Sequence, residues 1–237
     1  MAVRVRRRTV VAALMRPTAR SLPWRPLAGG WALGVVVAAV PALFALEFPQ
    51  AVLANVVRAA ALCGAVGMAF ALDDPARHTT GVVPVPRPLR QTLRVAVVGL
   101  VGTVGWAAVL GVVWAGADAE RWAALPAGAL TVEAAALSGL ALALAGTAVR
   151  FSAVRLPGPA VAAALPVFPV AAVVFLPDEH ALFVPPGDPR WADAHTLWAG
   201  ILAATLVVWA ACGPEPRRRI SGGPQRGGGM PKRVGGR

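Results

Sequence analysis

With 237 residues, 57% hydrophobic and only 14% charged, and with a mean hydropathy of +0.64, the chain is too apolar for an ordinary water-soluble domain. Its formal charge of +12 rests on arginine with one lysine, Lys232 in Met230-Pro231-Lys232-Arg233, which excludes a P-loop because that motif needs a lysine after its glycine turn. No Gly-x-Ser-x-Gly elbow or His-Glu-x-x-His helix occurs, which gives an intramembrane enzyme little support, and no basic helix with interleaved aromatics lies outside the apolar segments, so no nucleic-acid partner is expected.

In chain order, residues 1–28 form a basic arm carrying Arg4, Arg6, Arg7, Arg8, Arg16, Arg20 and Arg25. The Arg7-Arg8 pair lacks the unbroken apolar run of an export signal, since Arg16, Pro17 and Arg20 follow Met15. A cytosolic arm with one interfacial turn near Thr9 to Met15 is expected. Six apolar segments then follow: Gly29 to Leu46, Ala51 to Leu72, Val95 to Ala115, Trp122 to Val149, Pro159 to Leu176 and Ala194 to Cys212. Each is near the ~20 residues that cross the hydrocarbon of a bilayer. The fold class is therefore all-α: a polytopic membrane protein with six transmembrane helices over residues 29–212. Residues 213–237, rich in Gly, Pro and Arg, read as a disordered basic tail.

The loops give an orientation. Twenty of the 23 basic residues lie in the two terminal segments and in the loops after the second and fourth spans. The other loops hold only Arg121 and Arg190, together with Asp118, Glu120, Asp178, Glu179, Asp188 and Asp193. Short cytosolic loops retain positive charge, so both termini are predicted to be cytosolic, in a plasma membrane whose anionic lipid the arginines face.

Most other singular residues have structural readings. Trp31, Trp114, Trp122, Trp191 and Trp209 fall near span ends, where indole rings anchor at the interface. Pro41, Pro126, Pro166 and Pro169 fall inside the predicted spans and are expected to kink them. Cys63 and Cys212 have no C-x-x-C context and read as packing residues. His180 and His195 share the last outer loop with its acids, but their spacing matches no compact ligand motif. A solvated acidic loop with no metal and no cofactor is expected.

Two features remain that could carry function. Arg58 and Glu133 are ionisable residues inside spans, on the same side and roughly 12 and 16 Å below the outer ends at 1.5 Å per residue. An unpaired charge at such depth costs at least ~2.5 kcal/mol. The two read as a buried ion pair locking two helices, as part of a substrate or proton pathway, or with Arg58 snorkelling to the interface. The second feature is the longest internal cytosolic loop, with Asp73, Asp74, Pro75, Arg77, Thr79, Thr80, Pro84, Pro86, Arg87, Arg90 and Arg94. Asp73-Asp74-Pro75 ends a helix abruptly, Pro84, Pro86 and Pro88 hold the chain extended, and Arg87, Arg90 and Arg94 begin an element along the bilayer surface. The loop is either a rigid docking element for a cytosolic partner or a plain connector.

The run from Arg58 through Gly67-Met68-Ala69-Phe70-Ala71-Leu72-Asp73-Asp74-Pro75-Ala76, Thr79-Thr80, Pro84-Val85-Pro86 and Arg87 to Arg94 resembles the second helix and loop of small six-helix permease subunits of actinobacterial ABC transporters. Leu130-Thr131-Val132-Glu133-Ala134-Ala135-Ala136-Leu137 is similar to a fourth-helix stretch of the same proteins. The resemblance implies a non-enzymatic transport subunit, driven by a separate cytosolic ATP-binding subunit and assembled as a homodimer or with a second permease. Its rivals are a membrane scaffold or assembly protein, and an ion-coupled carrier. The carrier lacks the paired, Gly/Pro-broken half-repeats expected of one.

Overall fold

The computed structural model describes residues 17–73, 87–151 and 156–212. Among them the chain forms helices and no strand, and six helices are long and apolar enough to cross a membrane. The order is α1 (Trp24–Leu43), α2 (Gln50–Met68, continued by a 3-10 turn Ala69–Leu72), α3 (Arg87–Gly116), a short α4 (Ala119–Ala124), α5 (Ala127–Phe151), α6 (Gly158–Phe175) and α7 (Trp191–Cys212). Proline sets many of the starts: Pro23, Pro49, Pro126 and Pro157 each stand immediately before a helix. Its fixed φ suits that place, and the N–H it lacks would have had no partner in a first turn.

Two expected boundaries move. The fourth span is broken at Leu125–Pro126, so Trp122 belongs to the short α4 and the spanning helix starts at Ala127. Pro126 therefore separates two helices instead of kinking one. Asp118 caps α4, its carboxylate accepting from the backbone N–H of Arg121 at 2.8 Å. The third span starts earlier than expected, because the surface element predicted over Arg87 to Arg94 is the first two turns of α3 itself. Pro88 lies in that first turn and so does not extend the chain. Pro41, Pro166 and Pro169 do lie inside α1 and α6. At its other end α1 closes on Ala45, a non-glycine residue in the left-handed region at φ 49°, with the Leu46 N–H donating to the Pro41 carbonyl at 2.9 Å.

The centre of the bundle is α2 against α5, with α1 on α2, α7 on α5, α3 on α1, and α6 on the turn that ends α2. Association of helices in lipid has no hydrophobic drive and depends on close approach of small residues. The α1–α2 contact has that form. A Cβ at Gly30 would fall 2.7 Å from the Cys63 carbonyl oxygen and the Gly67 Cα, and one at Gly34 would fall 2.7 Å from the Ala60 carbonyl oxygen. Trp31 sits in the slot left by Gly64 of α2 and Gly105 of α3, where any Cβ would collide with its ring. It is buried in the core and does not anchor at an interface. Trp114, in contrast, is exposed on α3. Cys63 and Cys212 are free thiols.

Candidate functional site

Of the two features singled out in the sequence, the structure assembles the first completely. Arg58 is eight residues into α2 and Glu133 six residues into α5, depths of about 12 and 9 Å. The pair is bidentate: Arg58 Nε donates to Glu133 Oε2 at 2.7 Å and Nη2 to Oε1 at 2.9 Å. Glu133 is 1% exposed and Arg58 7%, so both charges are out of solvent and the snorkelling reading of Arg58 is wrong. The guanidinium has further acceptors, since Nη1 donates to Asn55 Oδ1 at 3.1 Å and Nη2 to the Val184 carbonyl at 3.0 Å. Its carbon also lies 5.7 and 5.8 Å from the ring centres of Trp191 and Phe183. Four of the five guanidinium N–H groups thus have acceptors, and planar Arg–carboxylate pairing with most other donors satisfied is the condition under which a buried pair offsets its desolvation.

Three of these partners come from a segment expected to be a solvated acidic loop. The stretch between α6 and α7 folds back over the bundle instead, with Leu182 and Val184 buried. Trp198 of α7, fully buried, donates its Nε1 to the Leu182 carbonyl at 3.0 Å and stands edge-on to Phe183 and Phe168. Arg190 closes the loop, donating to the Asp188 carboxylate and to the Asp178 carbonyl. The hydrogen bonds from Arg190 hold the Asp188 carboxyl below the usual carboxylate range. The acids therefore lie outward while the apolar residues between them plug the end of the bundle.

His195 completes the cluster. It lies one turn into α7, with Nε2 3.0 Å from Glu133 Oε1, Nδ1 2.8 Å from the Trp191 carbonyl oxygen and its ring against that of Trp191 at 4.2 Å. Its partner Glu133 is 62 positions away, so the sequence groups His195 with the outer acids and gives no local signal of the contact. Among the described residues no three His, Cys, Asp or Glu side chains converge as a metal site.

The second feature divides. Asp74, Pro75, Arg77, Thr79, Thr80, Pro84 and Pro86 lie outside the described residues, and Arg87 and Arg90 are in the opening turn of α3. Asp73 is accounted for within the bundle. It is 8% exposed, and its Oδ1 accepts from the backbone N–H of Gly158, the first residue of α6, at 2.9 Å. A carboxylate there meets the positive end of the α6 dipole. Gly158 is small of necessity, because a Cβ would fall 2.6 Å from Asp73 Oδ2 and from the Phe70 ring. Burial lifts the Asp73 carboxyl above its ordinary value, while the Gly158 N–H and the charge of Arg94 pull it partly back. Arg94 in turn donates to the Ser21 hydroxyl and carbonyl, joining α3 to the segment before α1.

No family model, curated protein or solved structure matches this chain.

Proposed function

We propose that the chain is the membrane-spanning subunit of an ATP-driven transporter, with its arginine-rich end and both termini in the cytosol and ATP hydrolysis on a separate chain. The observation that supports this reading is the sealed cluster at the acidic end. Charged groups inside spans are expensive, and here they are concentrated where α2, α5, α7 and a folded-back loop meet. In a transporter that point is the outer gate. Alternating access then means that nucleotide-driven movement at the cytosolic loop between α2 and α3 reaches it through α2, which carries Asp73 near one end and Arg58 near the other. A second subunit, identical or not, completes the path, and anionic lipid surrounds the arginine-rich end.

A scaffold reading is favoured by one specific observation: Arg58 spends its donors on Glu133, Asn55 and Val184, as a purely structural lock would. The two are separated by purifying the chain in mild detergent from its native membranes and assaying the preparation for ATP hydrolysis. A transport subunit brings a P-loop ATPase whose activity drops when Pro84 and Pro86 are replaced by glycine, since glycine loosens the chain that proline restricts. An ATPase-free preparation, or hydrolysis indifferent to the double change, would leave the scaffold.

A further inference from the structure

His195 makes two contacts that no neutral imidazole can satisfy together. The Trp191 carbonyl oxygen, 2.8 Å from Nδ1, can only accept, so it needs a proton on Nδ1. The Glu133 carboxylate, 3.0 Å from Nε2 and ionised by its bidentate pairing with Arg58, can also only accept. A proton on Nδ1 alone leaves the Nε2 lone pair 3.0 Å from a carboxylate oxygen, a repulsive contact. Moving it to Nε2 points the Nδ1 lone pair at a carbonyl. Only the imidazolium makes both contacts attractive. As placed, Nε2 is buried and makes no hydrogen bond, because Glu133 Oε1 lies off the direction of its N–H.

We infer that His195 and Glu133 form a proton-binding site that fastens α7 and the loop before it to α2 and α5. A proton taken from water at the acidic end forms an N–H bond at Nε2, and the imidazolium then turns onto Glu133 Oε1. Loss of that proton returns the lone pair and the repulsion, and loosens the loop whose Val184 carbonyl and Phe183 ring cover Arg58. The surroundings leave the task to His195. Among the described residues the charged group in contact with it is Glu133 of α5, itself paired with Arg58 of α2, and α6 carries no titratable residue. In the loop, Asp188 is taken by Arg190 and Glu179 lies beside His180, while Asp178 and, in α7, Asp193 are exposed. The site does not depend on the transport reading and would act in a scaffold as well.

The test uses the full chain in lipid nanodiscs with Cys63 and Cys212 replaced by alanine and His180 by glutamine. Val184→Cys places a thiol at a buried loop position, and Glu179→Cys, at an exposed one, corrects for the pH dependence of the reagent. The ratio of their maleimide labelling rates is followed from about pH 8 to about pH 5.5, across the histidine range. It should fall at least about fivefold on acidification. His195→Gln, whose amide can donate to Glu133 at any pH, should give a low, flat ratio, and His195→Phe, which cannot donate, a high, flat one. A flat ratio with His195 present, or the same pH response in His195→Gln, overturns the proposal. The glutamine variant keeps the test decisive if the phenylalanine variant fails to fold.

Discussion

Removing Arg58 should destabilise the protein more than removing Glu133, and the two losses should not add. Arg58→Ala leaves the Glu133 carboxylate buried, stripped of both hydrogen bonds and facing an imidazole Nε2 that makes none. The penalty for such an orphaned buried charge is ~3–5 kcal/mol. Glu133→Ala removes the same two bonds but leaves Arg58 with Asn55, the Val184 carbonyl and two aromatic faces. Retained bonds to a charged group are worth ~1.5–3 kcal/mol each, so this loss should fall at or just below the lower end of the ~3–5 kcal/mol range, about 2–3 kcal/mol. The double change leaves no orphaned buried carboxylate or guanidinium and should recover at least ~2 kcal/mol of the summed losses. The assay is reversible unfolding in mixed micelles, read by far-ultraviolet circular dichroism for wild type, both single variants and the double. Additivity within ~0.5 kcal/mol would refute the coupling on which this account of the cluster rests.

Gly34→Ala drives a Cβ against the Ala60 carbonyl oxygen and should cost ~1–3 kcal/mol in the same assay, whereas Gly29→Ala, with nothing within 4 Å, should be neutral or slightly favourable. Asp73→Asn keeps an acceptor for the Gly158 N–H and should be tolerated, while Asp73→Ala should cost about 1 kcal/mol as a lost cap. Because the folded carboxyl is raised, the folded state holds its proton more tightly than the unfolded one, and stability must fall as pH rises from the ordinary carboxylate value, near ~4, through the raised one. Asp73→Asn should remove that fall, visible as a flatter stability profile on the alkaline side of pH ~4. Cysteines placed singly at Ala119 and Glu179 should react in intact cells with an impermeant thiol reagent, and one at Thr80 should not. Labelling at Thr80 alone would reverse the orientation. Glu179 serves here better than the loop glycine Gly187, whose φ of 87° would strain any replacement.

The spans were legible because hydrocarbon thickness imposes a length and composition that survive every detail of packing. The Arg58–Glu133 pair was legible for a related reason: two opposite charges at similar depth in apolar segments have little choice but each other. What the sequence hid was where side chains from distant segments land. Trp31 looked like an interfacial anchor because it stands near a span end, yet the slot that buries it is made by Gly64 and Gly105, 33 and 74 positions away. The small residues of that slot and the Gly30-x-x-x-Gly34 spacing were a usable signal for the α1–α2 contact. Asp73 looked like part of a docking loop because Asp-Asp-Pro ends a helix; that it also caps α6 depends on a contact across 85 positions. The folded-back loop was least legible, since its acids announced solvent and masked Leu182-Phe183-Val184 between them.

The two ends of the bundle are held by different physics, and this difference bears on what can move. Toward the arginine-rich end, α1 and α2 meet through glycine against backbone, with Gly67 2.8 Å from the Pro26 carbonyl oxygen if given a Cβ, and Asp73 fastens α6 to the end of α2. Such contacts are numerous, short-ranged and lost together, so that end behaves as one packed body. At the acidic end the joint between α2, α5, α7 and the loop is a small number of directional bonds converging on Arg58 and Glu133. Bonds of this kind have acceptors that can be exchanged one at a time, and one of them responds to a proton. The joint at the acidic end can therefore be released bond by bond, whereas the glycine-packed end holds or separates as one body.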